Sequence, residues 1–185
     1  MLDDVVRVVV SERQIEARVA AMADEIAFFY ADNQEGITII TILTGSLVFL
    51  ADLIRRLPIR MRVGLVTVSS YAGKTTESCG ALFESAILPD LCNRDVLIVD
   101  DILDTGGTLR LVRDRLQTGS PRSIRTAVML RKKEKAPADL PVEFVGFDIE
   151  DEFVVGYGLD YDGLYRNLPY IGVLKSELYA TESMT

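Results

Sequence analysis

Val96-Leu-Ile-Val-Asp-Asp-Ile-Leu-Asp-Thr-Gly-Gly-Thr108 is the stretch that decides the fold. Val96 to Val99 are four consecutive β-branched or aliphatic residues, the pattern of a central parallel strand covered on both faces. Leu109, Val112 and Leu116 follow at helical spacing, so the stretch reads as strand, turn and helix. It delivers Asp100, Asp101 and Asp104 to the carboxyl end of the strand, followed at once by Thr105-Gly-Gly-Thr108. The free amides of a helix start favour an anion such as phosphate. The carboxylates could hold a ribose diol, a magnesium ion, or both. The bland alternative is a turn with a helix cap. Two adjacent acids, however, need a cation or hydroxyl donors to offset their repulsion, and a phosphorylated sugar meets all these demands together.

Outward from this stretch, strands and helices alternate. Val5 to Val10 reads as a strand, and Ser11 with Gln14 forms a capping box at the start of a helix. Ile15, Val19, Met22, Ile26 and Phe29 give that helix one apolar stripe. Ile37 to Leu43 is a buried strand, Thr44-Gly-Ser46 a sharp turn, and Leu47, Leu50, Leu53 and Ile54 mark the next helix. Met61 to Ser69, Ala81 to Ile87, Ser123 to Leu130 and Val142 to Ile149 supply further strands. Ser70 to Gly80 is rich in Gly, Ser and Thr and is expected to be a mobile surface loop. This order predicts an α/β domain, a mainly parallel twisted sheet flanked by helices. Ligands of such sheets sit at the carboxyl ends of the strands. The turns at 44–46, at 100–108 and after Leu130 should converge there. No G-x-G-x-x-G follows any candidate strand, which removes a dinucleotide-binding dehydrogenase from consideration.

The gross numbers narrow the chemistry. A chain of 185 residues, 49% hydrophobic and 26% charged, suits one soluble domain with one sizeable core. Its net charge of −8 argues against broad binding to nucleic acid or an anionic membrane, since both require a basic face. The absence of histidine removes His-based triads, His general bases and most zinc chemistry. Cys79 and Cys92 do not form a CxxC pair and are expected to be free thiols in a reducing cytosol. The acidic start Met1-Leu-Asp-Asp4 lacks the basic character of a secretory signal. The uncharged run from Gly36 to Ala51 is sixteen residues long, too short to span a bilayer. A cytoplasmic location is expected.

The 96–108 stretch resembles the phosphoribosyl-diphosphate signature of the type I phosphoribosyltransferases. A second block, Phe144-Val-Gly-Phe-Asp-Ile-Glu-Asp-Glu-Phe-Val-Val-Gly-Tyr-Gly-Leu-Asp-Tyr161 with Tyr165-Arg-Asn-Leu-Pro-Tyr-Ile-Gly172, is similar to the purine-binding end of the hypoxanthine (hypoxanthine-guanine) phosphoribosyltransferases. The resemblance runs from about Val5 to Leu174. It implies the type I phosphoribosyltransferase fold, residues 1–185 as one domain, with a small hood drawn from the N-terminal segment and mainly from about 142–175. It also implies magnesium as cofactor, a purine base and phosphoribosyl diphosphate as substrates, and a homo-oligomer, dimer or tetramer.

By the same resemblance, Asp104 matches the base that interacts with purine N7. Thr105, Gly106, Gly107 and Thr108 match the loop around the 5′-phosphate, although many relatives carry a larger or polar residue where Gly107 stands. Asp100 and Asp101 match the acid pair near the ribose hydroxyls and the magnesium shell; the first is often Glu in relatives. Thr44 and Gly45 match the first diphosphate loop, where relatives often have Lys for Thr44 and some have a cis peptide. Lys132 matches the donor to the purine 6-oxo group, Phe153 the stacking aromatic, and Val154 the residue whose backbone reads the purine edge. Asp160 matches a magnesium-coordinating carboxylate close to the purine 2-position, and Arg166 a diphosphate contact. Ser70 and Tyr71 match a catalytic loop that excludes water. A regulatory RNA-binding attenuator on the same fold and a xanthine-preferring enzyme are the alternative readings.

Overall fold

Strand Asp95–Leu103 (β5) lies at the centre of a six-stranded sheet, and its side chains show why. Leu97 and Val99 point into one apolar cluster, Val96 and Ile98 into the other, and all four are fully buried. Each such side chain taken from water contributes ~1.5–3 kcal/mol, which is what makes a doubly covered strand the organising element. The computed structural model describes residues 2–70 and 81–179. In chain order the other elements of the core are Val5–Val10 (β1), Glu12–Phe29 (α1), Ile37–Leu43 (β2), Leu47–Ile54 (α2), Met61–Ser70 (β3), Ala81–Ile87 (β4), Gly107–Gln117 (α3), Ser123–Lys132 (β6) and Phe144–Ile149 (β7). Val154–Val155 (β8), Ile171–Leu174 (β9) and Ser176–Tyr179 (α4) complete the described chain.

The large sheet has the order β4-β3-β2-β5-β6-β7, parallel throughout except for β4 against β3. On one face α1 and α2 bury Ile15, Val19, Met22, Ile26, Phe49 and Leu53; on the other α3 buries Leu109, Val112 and Leu116. The capping box read from Ser11 and Gln14 is formed, with Ser11 N–H donating to Gln14 Oε1 at 3.0 Å. Among the described residues, no helix is long and apolar enough to cross a membrane.

Beside this layer stands a small antiparallel sheet, β1-β9-β8, with its own core of Val155, Tyr165, Leu168 and Leu174. It joins the first strand to the last, so the hood does draw on both terminal segments. Its boundary differs from the expected 142: β7 is an edge strand of the large sheet, paired with β6.

Two further expectations change, and a third is not reached by the described residues. The motif strand does not stop at Val99, because pairing with β6 continues through Asp100, opposite Val128, to Leu103, opposite Arg131. Asp100 and Asp101 are therefore strand residues, and Asp104 alone lies beyond the strand. Phe29 does not complete the buried stripe of α1. Its ring is half exposed, packed edge-on to Phe144 at 6.0 Å with the Arg125 guanidinium 4.6 Å above it. The expected mobile loop from Ser70 to Gly80 lies, from residue 71 on, outside the described residues, as does Cys79; Cys92 is a free, exposed thiol.

Candidate active site

Parallel register builds the site before any side chain is considered. Leu103 of β5 pairs with Arg131 of β6, and Lys132 pairs with Ile149 of β7. Asp104 just past β5, Lys132 as the last residue of β6, and the loop at 150–153 after β7 therefore come side by side at the carboxyl edge of the sheet. Leu43 at the end of β2, the strand next to β5, emerges at the same edge, followed by a cis peptide to Thr44. A cavity of about 340 Å³ lies between these ends. Thr44, Gly45, Asp100, Asp101, Asp104, Thr105, Gly106, Gly107, Thr108, Asp160 and Arg166 all line it, over a floor that includes Ile42, Val68 and Leu103.

The loops around the cavity interlock at two glycines. A Cβ on Gly45 would lie 1.5 Å from Asp101 Oδ2, and one on Gly158 would lie 2.0 Å from the Gly45 carbonyl oxygen. Gly158 also has a φ of +100°, in the region L side chains rarely adopt. The turn after β2, the carboxyl end of β5 and the turn after β8 can thus approach only because two side chains are missing. Ser46, buried behind this turn, donates from Oγ to the Ile42 carbonyl and shares a 2.6 Å hydrogen bond with Thr41.

Asp100 is 5% exposed and Asp101 is partly buried beside it. Their oxygens accept from main-chain amides, Asp100 Oδ1 from Asp101 N at 3.1 Å and Asp101 Oδ1 from Ile102 N at 2.8 Å. Burial, then the neighbouring carboxylate, pushes Asp100 well above the ordinary carboxylate range; burial pushes Asp101 up as well. At the other rim Asp160 receives Arg166 at 2.8 Å and the Gly163 amide at 2.8 Å, while Arg166 donates to the Gly158 carbonyl at 2.7 Å.

The helix after the motif does not use Asp104 as its cap. Gly106, with φ +79°, is the N-cap of α3, and no side chain caps that end. The amides of its first turn are thereby left to the cavity, as an anion requires.

Lys132 does not line the cavity but reaches Asp104 Oδ2 at 2.9 Å and Asp151 Oδ1 at 3.0 Å. Burial works against its charge, yet the bonds to Asp104 and Asp151 prevail and hold its ammonium above the usual lysine value. The neighbouring basic run divides rather than forming a solvated patch. Arg131 forks onto Asp148 at 2.6 and 3.1 Å, and Lys135 turns inward to Asp151 at 2.7 Å. Asp104 Oδ1 is buried without a hydrogen-bond partner, with Lys135 Nζ at 3.8 Å.

Phe153 and Val154 also lie off the cavity. Val154 is buried and pairs with Val173; Phe153 is about a third exposed. Its ring stacks on Tyr179 at 4.8 Å and meets Tyr161 edge-on at 5.6 Å. Ser70 closes β3 opposite Ala81, and Tyr71 lies outside the described residues. Sequence reading missed Asp151, Lys135 and Tyr179. The acidic run Glu150-Asp-Glu152, one strand over from the basic run, was the available signal for the first two; Tyr179 left none.

Comparison with known proteins places the chain in a family. Residues 9–162 match the phosphoribosyl transferase domain family. A hypoxanthine-guanine phosphoribosyltransferase of Staphylococcus epidermidis is 44% identical over 184 residues, covering 97% of this chain and 99% of that protein. A hypoxanthine phosphoribosyltransferase of Salmonella typhimurium is 40% identical over 167 residues, 90% of this chain and 94% of that one. The crystal structure of a hypoxanthine phosphoribosyltransferase from Staphylococcus aureus has a TM-score of 0.88 at 39% identity, covering 97% of this chain and 96% of its own.

Proposed function

The chain belongs to the hypoxanthine and hypoxanthine-guanine phosphoribosyltransferases, and on that ground we propose how its residues divide the reaction. It is a purine-salvage enzyme: a purine nitrogen displaces diphosphate from C1 of phosphoribosyl diphosphate, giving IMP from hypoxanthine or GMP from guanine. Positive charge develops on the ribose, negative charge on the leaving diphosphate, and the purine gives up a proton. The observation that carries the residue assignment is the convergence of the 44–45 turn, the 100–108 segment, Asp160 and Arg166 on one cavity.

The 5′-phosphate takes the uncapped start of α3, with Thr105 and Thr108 adding hydroxyl donors. Asp100 and Asp101 accept the ribose hydroxyls. Thr44, Gly45 and Arg166 face the diphosphate, Arg166 with a fork suited to it. Asp104 is the base for the purine: Lys132 holds one of its oxygens, and the other has no hydrogen bond. Lys132 donates to the 6-oxo group, which selects hypoxanthine and guanine over adenine, whose amino group offers no acceptor there. Phe153 stacks on the base and the Val154 backbone reads its edge.

The donor set fits magnesium. Among the described residues no three His, Cys, Asp or Glu side chains form a ready cage. Asp100 and Asp101 nevertheless present adjacent, buried oxygen donors whose charge is disfavoured as they stand. One or two carboxylates completed by substrate oxygens is the usual magnesium arrangement. Asp100, Asp101 and, once its pair with Arg166 opens, Asp160 would hold the ion, which supplies charge neutralisation for the diphosphate. A homo-oligomer, as the family resemblance implies, and a cytoplasmic location, which the free thiol Cys92 supports, complete the proposal.

The names of the relatives favour this reading over an RNA-binding attenuator or a xanthine-preferring enzyme. Turnover of phosphoribosyl diphosphate with hypoxanthine, guanine, xanthine and adenine, with and without magnesium, tests it. Magnesium-dependent turnover of the first two is expected; a preference for adenine, or turnover indifferent to magnesium, would overturn the assignment.

A further inference from the structure

Asp151 has no part in the roles above, yet it completes a ring of four alternating charges with Lys132, Asp104 and Lys135. It gives one oxygen to each lysine, 3.0 Å to Lys132 and 2.7 Å to Lys135. We infer that Asp151 is a positioning residue for the purine, the counter-charge that stays with Lys132 when its ammonium exchanges Asp104 for the 6-oxo oxygen. The inference rests on the reading that Lys132 meets that oxygen.

The physical need is specific. The Lys132 side chain is only 11% exposed, so an ammonium stripped of its carboxylates would be a buried unpaired charge. If Asp104 were its sole counter-ion, a neutral purine carbonyl would have to displace a carboxylate, a poor exchange for a charge-assisted bond. With Asp151 retained, the lysine keeps one ion pair and spends another of its three donors on the substrate. The same exchange releases Asp104 Oδ2, beside the Oδ1 that already has no hydrogen bond. The acid needed for the purine proton and the donor needed for the 6-oxo group are thereby uncoupled in one movement.

The surroundings hold Asp151 where this requires. Its neighbour Glu152 is ion-paired with Arg7 of β1, and the Phe153 carbonyl accepts from Leu174 N of β9 at 3.0 Å. On the lysine side, the Lys132 carbonyl accepts from the amides of Lys135 at 3.0 Å and Ala136 at 2.8 Å, a turn that folds Lys135 back over the same carboxylate. Asp151 thus ties the lysine end of the large sheet to the loop carrying Phe153, and the hood to the purine-facing edge.

The test compares Asp151→Asn, Asp151→Glu, Lys132→Ala and the Asn–Ala double variant. Asp151→Asn keeps the shape and removes the charge. It should raise KM for hypoxanthine roughly 10-fold, the worth of a hydrogen bond to a charged group, and leave KM for phosphoribosyl diphosphate within about 2-fold. Asp151→Glu should recover most of the loss, and the double variant should be no worse than Lys132→Ala alone. An unchanged hypoxanthine KM in Asp151→Asn, with Lys132→Ala impaired, overturns the role of Asp151 while leaving Lys132 in place. Full additivity of the two losses would also overturn it, by showing that Asp151 acts elsewhere. A normal hypoxanthine KM in Lys132→Ala would instead remove the underlying reading, and the role of Asp151 with it.

Discussion

At the ribose end of the crevice Asp100 and Asp101 lie side by side and buried, and among the described residues no lysine or arginine is hydrogen-bonded to either. At the purine end, beginning only three residues later, Asp104 and Asp151 alternate with Lys132 and Lys135 at 2.7–3.8 Å. The first arrangement buries two carboxyl groups with no direct cationic partner among the described residues, so their charge is disfavoured; the second balances its charges internally. A cation fits the first without rearrangement of partners, whereas a purine can enter the second only by replacing an existing pair. On the proposed assignment, affinity for the sugar diphosphate and selectivity for the base are set by different physics, although Asp100, Asp101 and Asp104 all come from β5 or the residue just after it.

The sharpest way to break this contrast is at Asp104, where the two ends meet. Asp104→Asn keeps the shape and one acceptor but removes the proton-accepting carboxylate. Turnover should fall at least ~100-fold with substrate binding retained. Steady-state kinetics beside a binding measurement for phosphoribosyl diphosphate decides it; near-normal turnover would take the base role away from Asp104.

Gly45→Ala attacks the ribose end alone. Its Cβ would fall 1.5 Å from Asp101 Oδ2, so the carboxylate or the 44–46 turn must move. Overpacking of this kind costs ~1–3 kcal/mol, and a displaced acid pair should raise KM for phosphoribosyl diphosphate by roughly 10-fold or more. KM for hypoxanthine should change far less. Equal losses for both substrates would show that the two ends are not independent.

These contrasts were unevenly legible in the sequence. The phosphate and ribose end is contiguous, so the apolar run at 96–99 and the acids and glycines after it announced strand, turn and cradle together. What the run could not show was its own length: pairing with β6 carries β5 on to Leu103, placing two of the acids within the sheet. The end proposed for the purine is dispersed over Lys132, Asp151 and Tyr179, joined by strand register and by the short helix α4. Local charge patterns cannot reveal register, so the basic run 131–135 gave no sign that its members point in different directions. Phe29 failed for a related reason: helical spacing says which face is apolar, not where the sheet beneath it ends.

Asp100→Asn tests the disfavoured charge directly, and its sign follows from linkage. Asp100 has a folded pKa raised by burial and by Asp101, so between the unfolded and folded values the native state binds the extra proton. Stability from this site is therefore present at low pH and lost as pH rises through the folded pKa. At neutral pH the Asn variant should melt higher than the parent by a few degrees, about 2–4 °C for each kcal/mol gained. That advantage should shrink as pH falls through the raised pKa. Asp95 and Glu25, held below the usual range chiefly by Arg122 and Arg18, act oppositely. Their stability is present above the ordinary carboxylate pKa and lost as pH falls through their lowered values, a separate window. Melting curves of both proteins across pH separate the two; a variant that melts lower at neutral pH would show that the buried pair is not a cost.

The smallest effect is expected at Gly107. A Cβ added at Gly107 meets nothing within 4 Å, whereas one at Gly106 would clash with Leu140 and Pro137 at 2.9 Å, at a φ of +79°. Gly107→Ala also replaces a glycine in the first turn of α3 with a better helix former, worth up to ~1 kcal/mol. Stability should rise slightly, and KM for phosphoribosyl diphosphate should stay within about 2-fold. Gly106→Ala, one residue earlier, should lose both. The pair isolates what glycine does in this cradle: at 106 it permits the left-handed turn that aims the α3 amides into the cavity, and at 107 it only leaves space. If Gly107→Ala were as damaging as Gly106→Ala, the space above residue 107 would have to be filled during catalysis. The phosphate would then be held by that close backbone approach and not by the uncapped helix start alone.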